Sequence, residues 1–120
     1  VKDRPRSTWQ LYTTASGSAV VSKEIHEALQ GKSPMVELGN LMQRIEDGET
    51  LRRDTRHLSK ELHEARLTRE TNEYRLYYAV NPRGEHVLLA LKFQLKGSSG
   101  AQDRAMEVAR DRLTEWRGRI

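Results

Sequence analysis

The stretch that decides the fold runs over residues 62–96. It reads Leu62-His63-Glu64-Ala65-Arg66-Leu67, then Tyr74-Arg75-Leu76-Tyr77-Tyr78, then Val87-Leu88-Leu89-Ala90-Leu91-Lys92-Phe93-Gln94-Leu95-Lys96. Each piece alternates with the two-residue period of a half-buried strand, whose successive side chains point to opposite sheet faces. One parity collects Ala65, Leu67, Tyr74, Leu76, Tyr78, Val80, Val87, Leu89, Leu91, Phe93 and Leu95. The other collects Glu64, Arg66, Glu73, Arg75, Tyr77, Lys92, Gln94 and Lys96. The pattern predicts one apolar face against helices and one open face with cations on all three strands, a surface suited to a polyanion.

Working outward, residues 6–13 alternate around Trp9 and Leu11 and predict a first strand that includes Arg6. After Ser16-Gly17-Ser18, the recurrence of Val21, Ile25, Ala28 and Leu29 predicts a helix. Gly31-Lys32-Ser33-Pro34 breaks it; Ser33 can cap a second helix and Pro34 can take its first position. Leu38, Leu41, Met42 and Ile45 form that helix's apolar stripe, and Gly48 ends it. Residues 49–60 read as a polar connection carrying Arg52, Arg53, Arg56 and His57. Asn81-Pro82-Arg83-Gly84 supplies turn chemistry between the last two strands. Past the loop Gly97-Ser98-Ser99-Gly100, the residues Ala105, Val108, Ala109, Arg112, Leu113 and Trp116 define a final amphipathic helix. The expected order is β-α-α-β-β-β-α: one α+β domain over residues 1–120, an antiparallel sheet with helices packed on one face.

The composition sets bounds. At 120 residues the chain can bury one core. It has 21 Lys+Arg against 17 Asp+Glu, and 15 of those 21 cations are arginine. Arginine offers a planar fork that fits phosphate oxygens, so nucleic acid or an acidic protein is the expected partner class. The absence of cysteine excludes disulfides, a thiol nucleophile and thiolate metal sites, and suits a reducing compartment. With no membrane-length apolar run and no signal-peptide pattern at the N-terminus, a cytoplasmic protein is expected.

Taken in order, these motifs resemble the RelE/HigB-like toxins of prokaryotic toxin–antitoxin systems, in particular their phage-associated branch. The residues that carry the resemblance are Leu62, Glu64 and Arg66; Tyr74, Arg75, Tyr77 and Tyr78; and Leu89, Phe93 and Lys96. The Gly48/Leu51 connection and the Ala105/Ala109/Arg112 helix agree with it, so the likeness spans roughly residues 6–117. Two departures stand out: Leu95 replaces the first lysine of a usual pair, and Ala90-Leu91 occupy a place where many relatives carry histidine. The resemblance implies an endoribonuclease (mRNA interferase) that cleaves mRNA on the ribosome without a metal or other cofactor, held inactive by a cognate antitoxin for which a helix-turn-helix protein is a candidate. The alternative is a non-catalytic binding module on the same fold.

Metal-free RNA cleavage turns the ribose 2′-hydroxyl on the neighbouring phosphorus, so the site must remove that hydroxyl's proton, stabilise charge on phosphate oxygens and assist the leaving 5′-oxygen. Fixed cations suit the second task. Arg66 and Arg75, which match family positions implicated in phosphate contact, are the candidates, and Lys96 and Lys92 share their face. Glu64 is read as orienting Arg66 rather than as a base, because a carboxylate between cations accepts a proton poorly. Tyr77, on the open parity, could stack on a base or donate to phosphate; Tyr74 and Tyr78 have core parity. Arg52, Arg53 and Arg56 form a cationic loop suited to RNA backbone. His63 has core parity, His86 lies at a turn, His57 in the arginine-rich connection and His26 on a helix; none forms a metal-ligand pattern with a third ligand.

Overall fold

The computed structural model describes residues 7–119. Arg6, expected at the head of the first strand, lies outside the described residues. In chain order the elements are β1 (Thr8–Leu11), α1 (Val20–Ala28), α2 (Lys32–Asp47), β2 (Thr55–Ser59), β3 (Leu62–Arg69), β4 (Asn72–Val80), β5 (Val87–Leu95) and α3 (Ser99–Arg117). The α+β class and the order of elements are as expected, with one strand added. β2 forms inside the stretch read as a polar connection. It is short and half exposed, so its apolar alternation is too weak to show in sequence.

The sheet has the order β1-β5-β4-β3-β2. β2 to β5 pair antiparallel in succession, whereas β1 runs parallel to β5 and makes the sheet mixed rather than antiparallel. Parity along β3 and β4 holds: Ala65 faces Leu76, Leu67 faces Tyr74, and Arg66 faces Arg75. β5 departs from it. Tyr77 pairs with Lys92 but Tyr78 pairs with Ala90, so Leu91 is an extra residue, a bulge that reverses which face each side chain meets. Phe93 therefore stands with Leu76, while Leu89 stands with Ala79 on the opposite face.

That reversal changes where the helices pack. α2 covers the face of Ala65 and Leu76: Trp9 Nε1 donates to the Met42 carbonyl at 2.8 Å, its ring meets Tyr78 edge-on, and Arg69 pairs with Glu37. α3 crosses the other face, where Gln102 reaches Glu64 and Ala105, Ala109, Leu113 and Trp116 are buried. The helices thus occupy both faces rather than one. The physical reason is apolar area: Leu62, Tyr77, Ala79 and Leu89 fill half of the second face and require cover. α1 lies along the outer edge of β5, beyond the end of β1. There Glu24 accepts from the Phe93 amide at 3.1 Å, a ladder donor with no strand partner.

Ends and turns follow local chemistry. α2 begins at Lys32 with Gly31 as its cap, so Pro34 sits inside the first turn, where its missing N–H costs nothing. Gly48, at φ 73°, closes α2 in the left-handed conformation. Ser98 caps α3, its hydroxyl accepting from the Ala101 amide at 3.2 Å. In the β4–β5 turn, Asn81 Oδ1 accepts from the Val87 amide at 2.9 Å.

Candidate functional site

The second sheet face divides into an apolar half under α3 and a polar half around Glu64. Register places Glu64 beside Tyr77 and Lys92, and Arg66 beside Arg75 and Gln94. On the other side of β3, Arg56 of β2 faces Glu64. Glu64 is fully buried (0 % exposed) and three guanidinium groups converge on it. Arg75 Nη1 donates to Oε2 at 3.0 Å, Arg66 Nε stands 3.4 Å from Oε1, and Arg56 Nε stands 3.8 Å from the same oxygen. Gln102 Nε2, from α3, donates to Oε2 at 3.3 Å. A buried carboxylate requires such company, because an ion taken out of water without partners is strongly disfavoured.

The three arginines differ in what they have left to offer. Arg75 gives Nε and Nη2 to Glu73 and Nη1 to Glu64. Burial works against its charge, but Glu73 and then Glu64 outweigh it and its pKa rises. The Arg66 side chain is a third exposed and, among the described residues, pairs only with Glu64, so its outer nitrogens have no acceptor. Arg56 is more open still. It belongs to β2 and to this cluster, apart from Arg52 and Arg53, which lie on the preceding turn and are exposed.

Tyr77, expected on an open face, is 0 % exposed, so it cannot stack on a base; α3 covers it. Burial raises its hydroxyl pKa, with the Glu64 charge adding to that. Arg75 and Gln94 pull the other way without completing a well-formed hydrogen bond. Four buried polar atoms on this face lack hydrogen-bond partners: Glu64 Oε1, Arg66 Nε, Tyr77 Oη and Gln94 Nε2. One further such atom among the described residues, Trp116 Nε1, belongs to α3. Orphaned buried polar atoms are uncommon and costly, although Glu64 Oε1 and Arg66 Nε still share an ion pair at 3.4 Å.

The remaining expected residues sit around this centre. Lys92 shares the face but pairs with Glu24 at 3.0 Å, and a cavity of about 300 Å³ opens between it, Gln94 and Arg104 of α3. Lys96 follows β5 at the polar end, its amide bonded to the Glu73 carbonyl at 2.7 Å and its side chain exposed. A larger cleft, about 490 Å³, runs from Arg66 past Thr68 and Glu73 to Asn40 of α2 and Arg53. Asp54 braces its rim, accepting from the Leu51 amide at 2.8 Å and from Arg44 at 3.4 Å. Sequence reasoning missed Asn40, Thr68 and Gln102. The parity of Thr68 with Glu64 and Arg66 was the signal for one of them; helix residues that meet a strand only through tertiary packing leave none.

His63 is half buried, stacked between His57 and Tyr78 as an expected structural residue. Among the described residues, no group of three or more His, Asp or Glu side chains is arranged to hold a metal ion. Nor is any described helix long and apolar enough to cross a membrane.

The chain is a small α+β domain with arginines from three strands gathered on one buried sheet-face carboxylate. The family described as Phage derived protein Gp49-like (DUF891) matches residues 28–114, and the chain belongs to that family. The family lies within the RelE/HigB-like toxins of toxin–antitoxin systems, and a toxin–antitoxin role with a cognate antitoxin as partner fits it. No curated protein matches the chain.

Proposed function

We propose that this protein is a toxin that cuts mRNA by metal-independent transesterification, with the ribosome as the setting and the antitoxin as its restraint. The observation that carries the reading is the convergence of Arg56, Arg66 and Arg75 on buried Glu64, with Arg66 and Arg56 keeping unsatisfied nitrogens outward. In the reaction the 2′-hydroxyl gives its proton to solvent water and the 2′-oxygen bonds to phosphorus as the bond to the 5′-oxygen breaks, leaving a cyclic phosphate and a 5′-hydroxyl. Negative charge grows on the non-bridging oxygens. Arg66 and Arg56 take that charge, held in place beforehand by Glu64, which is where preorganised electrostatics lowers a barrier most. Arg75 is the brace: fixed between Glu73 and Glu64, it positions the carboxylate rather than gripping substrate. Lys96, free at the end of the face, supplies the proton for the departing 5′-oxygen.

The test is cleavage of mRNA, alone and on ribosomes, by purified protein. Arg66→Ala is expected to slow cutting about a hundredfold, the usual effect of removing one transition-state donor. It should leave thermal stability nearly unchanged, since the side chain makes a single long ion pair. Arg66→Lys should recover only part of the rate, because a point charge cannot match a planar fork. Wild-type protein that binds RNA or ribosomes without cutting either substrate would overturn the enzymatic reading in favour of a binding module.

A further inference from the structure

The cleft beside Arg66 has features that phosphate charge alone does not explain. At about 490 Å³ it falls within the range of small-ligand sites. Its walls carry groups that pair with the edge of a heterocycle. The Asn40 amide offers both donors and an acceptor, and the Thr68 hydroxyl offers one of each. Neither side chain has a hydrogen-bond partner among the described residues. Glu73 binds Arg75 through Oε2 alone, which leaves Oε1 as a further acceptor on the wall. Leu67 supplies an apolar surface for a ring face. Arg53 stands at the same cleft, exposed and without an acidic partner among the described residues. Thr68 follows Arg66 by two residues on one side of β3, roughly 7 Å along the strand, so one ligand can reach both.

We infer that this cleft is a nucleotide-selecting subsite. It receives the nucleobase next to the phosphate held by Arg66 and reads its edge through Asn40 and Thr68, with Arg53 on the adjoining phosphate. The inference rests on the RNA-cutting reading and adds to it the origin of sequence preference. The braced rim, in which Asp54 ties Arg44 to the Leu51 amide, keeps the opening formed before ligand arrives. An acidic peptide would also find the cations, and its backbone could pair with the amide and hydroxyl, but it would give no ranking among the four bases.

The experiment titrates isotopically labelled protein with each of the four nucleoside 3′-monophosphates and with inorganic phosphate, following the Asn40 side-chain amide and the Thr68 backbone amide. One base is expected to bind at least about tenfold more tightly than the weakest and to move both resonances, whereas inorganic phosphate moves the Arg53 and Arg66 regions and leaves the Asn40 side-chain amide in place. Asn40→Ala and Thr68→Val, both at exposed positions, should each compress that ranking by about tenfold. Equal responses to all four nucleotides, or a ranking unchanged in both variants, would overturn the inference. Because monophosphates are not cut, the outcome is separate from cleavage. Protein that ranks nucleotides but does not cut RNA keeps the subsite and loses the reaction; protein that cuts without ranking loses the subsite alone.

Discussion

Glu64 and Tyr77 face each other across β3 and β4, both fully buried, and they oppose each other energetically. Glu64 is anchored by Arg75 and Gln102, so removing its carboxylate strands a mostly buried guanidinium. Glu64→Ala is expected to cost about 3 kcal/mol, the scale seen when one partner of a buried pair is removed, read as a lowered denaturation midpoint. Tyr77 buries a hydroxyl with no completed hydrogen bond. Tyr77→Phe should therefore raise stability by about 1 kcal/mol, since an unsatisfied buried polar group is a net penalty. A loss of stability in that variant would show that the hydroxyl is satisfied after all, by water or by Gln94. Sequence parity put Glu64, Arg66, Arg75 and Tyr77 on one face, and the register agrees. It could not show that this face is covered, because the cover comes from a helix some 25 or more residues further along the chain.

At the scale of elements, the β4–β5 turn and the end of α2 were legible because single residues dictate them, Asn81-Pro82 for the turn and Gly48 for a left-handed cap. The helix starts were not: Gly31 rather than Ser33 caps α2, and α3 begins at Ser99 inside the stretch read as a loop. Nor was the bulge at Leu91. Residues 87–91 are all apolar, so a reversal of faces leaves no mark on the hydrophobic pattern. A continuous apolar run was itself the sign of a strand covered on both sides. The β3–β4 turn holds Glu70 at φ 57°, a conformation disfavoured for residues with a Cβ. Glu70→Gly should relieve it and stabilise the protein by about 0.5 kcal/mol in urea unfolding, the gain being partly offset by glycine's larger unfolded-state entropy. The cross-strand pair His57–His63 gives β2 and β3 a pH response. Burial, and then the neighbouring His57, lower the His63 pKa below its ordinary 6.5. The folded form thus favours the neutral ring. This contribution is complete above about 6.5 and is lost as pH falls through that value toward the folded pKa. Melting temperature should fall between about pH 7.5 and about pH 5.5, and His63→Phe, which keeps an aromatic ring beside Tyr78, should flatten that part of the profile.

For the whole molecule, arginine content overstated the charge available to a partner. Arg112 is bonded to Glu24 and the Leu91 carbonyl, Arg117 to Glu61 and the Pro82 carbonyl, and Arg119 to the Thr13 carbonyl as well as to Glu115 of α3, so these cations fasten α3 to the rest of the domain. Composition cannot separate a fastening arginine from a free one; only the fold does. Arg52 and Arg53 remain exposed on the turn before β2. Replacing both with Gln should weaken RNA binding and lower the slope of log affinity against log salt by about 0.7 for each lost single-strand contact. An unchanged slope would make that turn a solvated surface only.

The parallel pairing of β1 with β5 also orders events in time. Thr8 meets Val87, so the partners are separated by roughly 80 residues of chain. At ordinary synthesis rates of about 5–20 residues per second, the first strand waits on the order of 4–16 s before its neighbour exists. Closing so long a loop carries a large entropic cost and slows folding. Completion of the sheet therefore waits until β5 has been synthesised. A nascent chain lacking β5 and α3 has an unfinished sheet, an uncovered Tyr77 and a Glu64 still without the Gln102 amide.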